Sequence, residues 1–450
     1  MESVVSKPKD SDTKLSFIER FSYGQLDAAG QLVFCVISSY LLYFYTDVVQ
    51  LPVAAAGLIL LVARLFDGID APVWGTLIDL THSKYGRARP YLLWLILPFT
   101  LSAILMFWSP NLSVNARIIY CGITYVVTGI LYTGLNTPLT AILPLLTRDI
   151  DERVVLNSWR MTGSQTAVLF VNAFTLPLVA FFGQGNDKIG FRYLMIIFAI
   201  TGCIMTIFSF YHLRERVEVK TEKIHFKDSI KALKGNWPWI IVFISNFFWW
   251  IANTERSTTL VYYFTYYIGD KLLVSVFNAV GIVQLLGMIS VPFLSKKFTR
   301  QQIWIVSLLM AIIGQIIMWI GGKSIVILMI GWIIGNIGSG TALSLVFVAV
   351  GTAVEYGTWK TGITSAGLLT ALGTSFCLKV GSGVAGFVPS TIMDKFGYVA
   401  NHAQTAKSLL GISLSFNLVT IIAFTLALIP ILFYKKFESM EKMISQTINK

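Results

Sequence analysis

The chain has 450 residues, of which 55% are hydrophobic and only 13% charged, with a formal net charge of +12. A soluble globular protein carries about 25% charged residues, and a soluble core could not absorb this much apolar surface, so lipid must cover part of it. The basic excess falls in short loops between apolar runs, which sets nucleic-acid binding aside in favour of a membrane. Continuous runs such as 193–211 do not alternate as the strands of a transmembrane barrel would.

The apolar runs predict twelve transmembrane helices, with cores at 22–46, 53–79, 90–108, 118–146, 162–182, 191–213, 237–268, 272–294, 302–320, 325–354, 361–390 and 408–434. The residues before the first run are polar and include Pro8, without the apolar core of a cleavable signal peptide. Basic residues mark alternate loops. Lys7, Lys9, Lys14 and Arg20 precede the first helix; Lys84, Arg87 and Arg89 follow the second, and Arg148 and Arg153 the fourth. The loop after the sixth is the richest, Lys296, Lys297 and Arg300 follow the eighth, and Lys435 and Lys436 the last. The positive-inside rule then puts both termini and the even-numbered loops in the cytoplasm. The expected fold class is an all-α membrane protein of two six-helix bundles, a common transporter plan with a central cavity. Its expected parts are an N-terminal segment 1–20, bundles 21–213 and 237–436, a basic central loop 214–236 and a tail 437–450. Internal sequence symmetry is weak: GTLIDLTHSKYGRARP at 75–90 meets only PFLSKKFTR from Pro292 in the second half.

Ionisable groups inside the apolar runs are expensive and mark candidate pathways. In the first helix Asp27 and Gln31 lie one turn apart. Arg64, Asp67 and Asp70 recur every three residues on one side of the second, where two carboxylates can share a proton or offer oxygens to a small cation. Arg64 can neutralise one of them, so coupling and a structural ion network both remain open. Asn136 precedes Pro138 in the fourth helix, and Arg160 begins the fifth beside Trp159. Amides at Gln31 and Asn136 can meet hydroxyls through paired donors and acceptors, or bond between helices. Arg160 can fork onto two oxygens, or neutralise Asp149 or Asp151. In the seventh helix Trp249 is either a ring-stacking surface or a lipid contact, and Glu255 and Arg256 either compensate each other or have separate partners. Ser375 and Lys379 share the eleventh helix, where the lysine needs a carboxylate, water or an anion. The cysteines Cys35, Cys121, Cys203 and Cys377 have no metal or disulfide spacing, and no catalytic pair or phosphate-binding motif stands out.

Several strings taken in order resemble the glycoside–pentoside–hexuronide:cation symporter family, a branch of the major facilitator superfamily. They are SYGQLDAAG, YFYTDV, ARLFDGIDAPVWG, TLIDLTHSKYGRARPYL, YTGLNTP, LNSWR, YYFTYYIGD and VEYGTWKTG, with Lys379 downstream. The resemblance implies the major facilitator fold and uphill uptake by alternating access, driven by H+, Na+ or Li+. It also implies roles. Asp67 matches the first carboxylate of the helix-two cation motif, and Lys379 the lysine linking the cation and sugar regions. Gln31 and Asn136 match sugar-binding carboxylates and have lost their charge. Thr140 replaces an aromatic sugar platform, and Arg160 matches an arginine tied to gating and cavity polarity. The family's second cation carboxylate falls at Ala71, with Asp70 one position earlier.

That departure favours H+, which needs fewer fixed oxygens than Na+. The expected cation-coupling residues are Asp67, Asp70 and Lys379, and the expected sugar-binding residues are Gln31, Asn136, Arg160 and Lys379. Asp27, Arg64, Thr140, Trp249, Glu255, Arg256 and Ser375 are cavity or gate candidates. The expected activity is sugar or glycoside symport without a cofactor, by a protein sufficient as a monomer, set among lipids in a bacterial inner or cell membrane. A neutral glycoside or oligosaccharide fragment is narrowly preferred to a hexuronide. Sodium-coupled lysophospholipid transport and an uncoupled sugar facilitator are the alternatives.

Overall fold

The computed structural model describes residues 15–81, 83–147, 149–217, 235–361 and 366–440. The N-terminal segment before residue 15, Arg148, most of the basic central loop and the tail beyond residue 440 lie outside the described residues.

The described chain is helical almost throughout. Helix α1 spans Phe17–Tyr43 and continues as a π-helical turn, Phe44–Val48. Then follow α2 (Val53–Leu80), α3 (Arg89–Met106), α4 (Val114–Ala141), α5 (Ile150–Gly183) and α6 (Asp187–His212). In the second half α7 is Trp237–Tyr262, continued by the π-helical Tyr263–Ile268. Helix α8 comprises Leu273–Val280 and Gln284–Leu294, joined by a 3-10 turn. Helices α9 (Arg300–Ile320) and α10 (Ile325–Thr361) follow. In α11, Ala366–Ala371 and Cys377–Lys395 flank the π-helical Leu372–Phe376; in α12, Ala406–Ser413 and Thr420–Ile431 flank the π-helical Leu414–Val419.

Ten of these helical stretches are long and apolar enough to cross a membrane. Helix α2, carrying Arg64, Asp67 and Asp70, and α7, carrying Glu255 and Arg256, fall outside that group among the described residues. The fifth helix starts at Ile150, twelve residues before its apolar core. Asp149 explains the early start: its Oδ1 accepts the Glu152 N–H at 3.4 Å, capping a polar first turn. Glu152 is in turn held by Arg20, whose Nε and Nη2 lie 2.8 and 2.9 Å from its two oxygens. Arg160 consequently sits well inside α5 rather than at its beginning.

The residues divide into two compact units. One comprises Met1–Ile37 and Ile69–Glu222, the other Ser38–Gly68 and Lys223–Lys450. The first has a core around Tyr23, Leu92, Leu139, Leu146 and Phe210. The core of the second is built on Trp239, Trp249, Trp304, Phe424 and Tyr434.

The same capping device occurs once in each unit. In the first, the Glu215 carboxylate, just beyond α6, accepts the main-chain N–H groups of Arg87, Ala88 and Arg89 at 2.8, 2.9 and 2.9 Å. In the second, Glu438, beyond α12, accepts those of Arg300 and Gln301 at 2.6 and 3.1 Å. Each carboxylate meets the positive end of a helix that opens after a short basic loop. Gly86, with φ +106°, must be glycine, because a Cβ there would lie 2.4 Å from Glu215.

Candidate transport site

In the second unit the candidate site is built on α2 and α11. Arg64 and Asp67 are one turn apart and buried, 5% and 3% exposed. Arg64 Nη1 donates to Asp67 Oδ2 at 3.4 Å. The other oxygen, Oδ1, is buried and has no hydrogen-bond partner among the described residues. Lys379 reaches the same turn from α11, where Nζ donates to the Asp67 main-chain carbonyl at 2.6 Å. The backbones can come this close because α11 is small-faced here. A Cβ on Gly383 would lie 2.8 Å from Arg64 Cβ, and one on Gly386 would lie 2.7 Å from a Leu60 methyl. Thus the structure brings Arg64, Asp67 and Lys379 together, with Asp70 one turn further along α2. Ser375 is exposed in the π-helical segment one turn before Lys379.

In the first unit a second polar group lies on α1 and α5. Arg160 Nε is 3.8 Å from Asp27 Oδ2, and Gln31 follows one turn further along α1. Asp27 and Asn136 line one cavity with Tyr132 and Thr206. Its volume of about 30 Å³ holds a water rather than a sugar ring. Thr140 is exposed on α4, its hydroxyl bonded to the Thr137 carbonyl at 2.9 Å. The arginine's ion pair is therefore with Asp27 of α1, a partner outside the Asp149 and Asp151 pairing that the sequence suggested.

Glu255 and Arg256 have separate partners. Glu255 accepts from Thr259 Oγ1 at 3.1 Å and from Thr420 Oγ1, while Arg256 lies 4.0 Å over the Trp332 ring. Trp249 is 1% exposed in the apolar core, edge-on to Trp250 at 4.9 Å between ring centroids, and presents no open stacking face. A further buried carboxylate, Asp47, sits in the string YFYTDV. Its tyrosine partners are 219 and 351 residues away, and no local spacing reveals them.

Long apolar helices with carboxylates and cations buried inside them define a multi-pass membrane transporter. The chain belongs to the MFS/sugar transport protein family, whose model matches residues 22–436. It is 37% identical over 433 residues to the isoprimeverose transporter of Lactiplantibacillus pentosus, covering 95% of this chain and 90% of that protein. It is 34% identical over 438 residues to the uncharacterized symporter YnaJ of Bacillus subtilis, covering 95% and 94%. The fold is similar to that of a bacterial homologue of the human lysosomal transporter Spinster, with TM-score 0.74 at 12% identity over 95% of this chain and 97% of the other. The chain is thus an all-α transporter with a major-facilitator fold, not an enzyme, that moves a small polar solute by secondary transport and alternating access. Its named relatives place it in a bacterial cell membrane.

Proposed function

We propose that the chain is a glycoside–pentoside–hexuronide:cation symporter that takes up a neutral glycoside with H+ through twelve spans in two six-helix bundles. The observation that carries the coupling is Asp67. Its carboxylate is buried, one oxygen faces Arg64, and the other has no hydrogen-bond partner among the described residues. A proton needs one lone pair, which Oδ1 offers; a metal cation needs several oxygens arranged around it. Asp70 on the next turn is the second proton-handling group, and Lys379 ties their helix to α11.

The neutral cargo rests on the cations. Arg160 is turned to Asp27, and Lys379 to the Asp67 carbonyl, so each already has an oxygen partner that an anionic sugar would have to displace. Gln31 and Asn136, two amides, supply donors and acceptors suited to hydroxyls. The similarity to an isoprimeverose transporter supports a glycoside over a lysophospholipid.

The test is uptake by proteoliposomes under an imposed pH gradient, with and without sodium, across matched neutral glycosides, glucuronides and lysophospholipids. The expected result is accumulation of a neutral glycoside with substrate-linked proton entry in the absence of sodium. Strict sodium dependence without proton movement would reverse the ion assignment. Selective uptake of glucuronides, with their binding weakened by Lys379→Gln and neutral-sugar binding intact, would reverse the cargo assignment.

A further inference from the structure

We propose that Asp47, Tyr266, Tyr398 and Asn401 form a latch that holds the non-cytoplasmic mouth of the carrier shut, and that release of the π-helical end of α1 from this cage opens it. The inference rests on the alternating-access reading, but its test does not depend on knowing the cargo.

All the groups involved lie in the Ser38–Gly68 and Lys223–Lys450 unit. The loop that follows Asp47 contains no basic residue, which places this end away from the cytoplasm. The Asp47 carboxylate is buried, 5% exposed. Thr46 Oγ1 donates to its Oδ2 at 2.6 Å, Tyr398 Oη lies 2.9 and 2.8 Å from its two oxygens, and Tyr266 Oη donates to Oδ1. Asn401 closes the cage twice. Its Nδ2 donates to the Asp47 carbonyl at 2.6 Å, and its main-chain N–H to Tyr266 Oη at 3.0 Å. Asn401 has φ +59°, a conformation that asparagine tolerates better than most residues and that aims its amide at α1. Tyr262 completes the contact by sharing a hydrogen bond with Thr46 at 2.7 Å. Burial, and then the Asp47 carboxylate, hold the Tyr398 hydroxyl far above its ordinary pKa, so it stays a donor.

Two features make this a latch rather than a fixed part of the core. First, the cage joins three separate segments: the end of α1, the end of α7 and the turn between α11 and α12. Both helix ends are π-helical, a geometry concentrated at functional sites and able to revert to α. Second, a carboxylate gives the cage an alternative state. Buried, it requires every one of these donors; withdrawn into water, it is fully solvated without them. Two arrangements of comparable free energy are what a gate needs. A second close contact lies nearby on α2, where a Cβ on Gly57 would fall 1.7 Å from Ser390 Oγ and 3.3 Å from the Gly386 carbonyl. The neighbouring Ala56 is fully buried, 0% exposed.

Ala56→Cys is therefore the reporter. Whole cells expressing it are treated with a membrane-impermeant maleimide, with and without Tyr398→Phe, Tyr266→Phe/Tyr398→Phe or Asp47→Asn. The tyrosine changes remove one or two hydroxyls and little else, so they test the latch even if Asp47→Asn does not fold. Labelling from outside should rise by about tenfold in the double tyrosine variant, as expected when a closed state loses its advantage over an open one. In the same variant, labelling of cytoplasm-facing positions should fall. Unchanged labelling from both sides in correctly inserted, monodisperse protein overturns the latch and makes the cage structural. If labelling responds but no sugar is taken up, the latch stands and the cargo reading falls.

Discussion

Lys379 is bonded to the backbone of Asp67: its ammonium donates to the Asp67 carbonyl at 2.6 Å, while the carboxylate of the same residue faces Arg64. The lysine thereby senses both the position of the α2 backbone and the charge of its carboxylate. Lys379→Gln can keep the hydrogen bond but not the charge. It should leave folding close to the parent and cut concentrative uptake by about tenfold or more, since each lost 1.4 kcal/mol of coupling is a factor of ten. Lys379→Leu removes both and should also lower the unfolding temperature, because the carbonyl contact and the counter-charge disappear together. Uptake by Lys379→Leu equal to the parent would show that α11 takes no part in coupling.

Asp67 and Asp70 should separate coupling from binding. Asp67→Asn retains the shape and removes the proton-accepting group, so accumulation against a gradient should vanish while exchange of labelled for unlabelled sugar persists. Asp70→Asn should show a weaker form of the same split. Full accumulation by the double Asn variant would exclude both carboxylates from coupling.

The helices were legible because apolar runs of this length have few alternatives. What the sequence hid was everything set by non-local contacts. The start of α5 lay in a polar stretch whose cap, Asp149, and partner, Arg20, are outside the apolar period. The π-helical turns in α1, α7, α11 and α12 carry no marker residue. Adjacent Glu255 and Arg256 were open to mutual compensation, and only the fold shows threonines on one and Trp332 on the other. Trp249 resembled a sugar platform by composition alone, whereas packing against other core side chains buries it. For Arg64, Asp67 and Lys379 the sequence did better, because a charge in an apolar helix must find a partner and few were on offer.

The paired caps should behave alike. Glu215→Gln and Glu438→Gln each replace a carboxylate at the positive end of a helix by a neutral amide, and each should cost about 1–2 kcal/mol of stability. Thermal unfolding in detergent would measure both. A loss confined to one of them would mean that the shared geometry is not a shared function.

The pair Asp27–Arg160 offers a direct test of cargo charge. The groups are 3.8 Å apart, with side-chain exposures of 14% and 17%, so removing one leaves the other largely desolvated. Arg160→Gln alone should destabilise the first unit, and adding Asp27→Asn should recover part of the loss. Coupled charges at this range give interaction energies of about 0.5–3 kcal/mol in such a cycle. If the arginine serves Asp27, the double variant should also recover neutral-glycoside binding and show no selective change towards glucuronides. If instead it serves an anionic cargo, glucuronide affinity should stay lost in the double variant while stability returns. The two measurements therefore move together under a neutral cargo and apart under an anionic one, and ligand-dependent unfolding with both sugars in the four proteins distinguishes them.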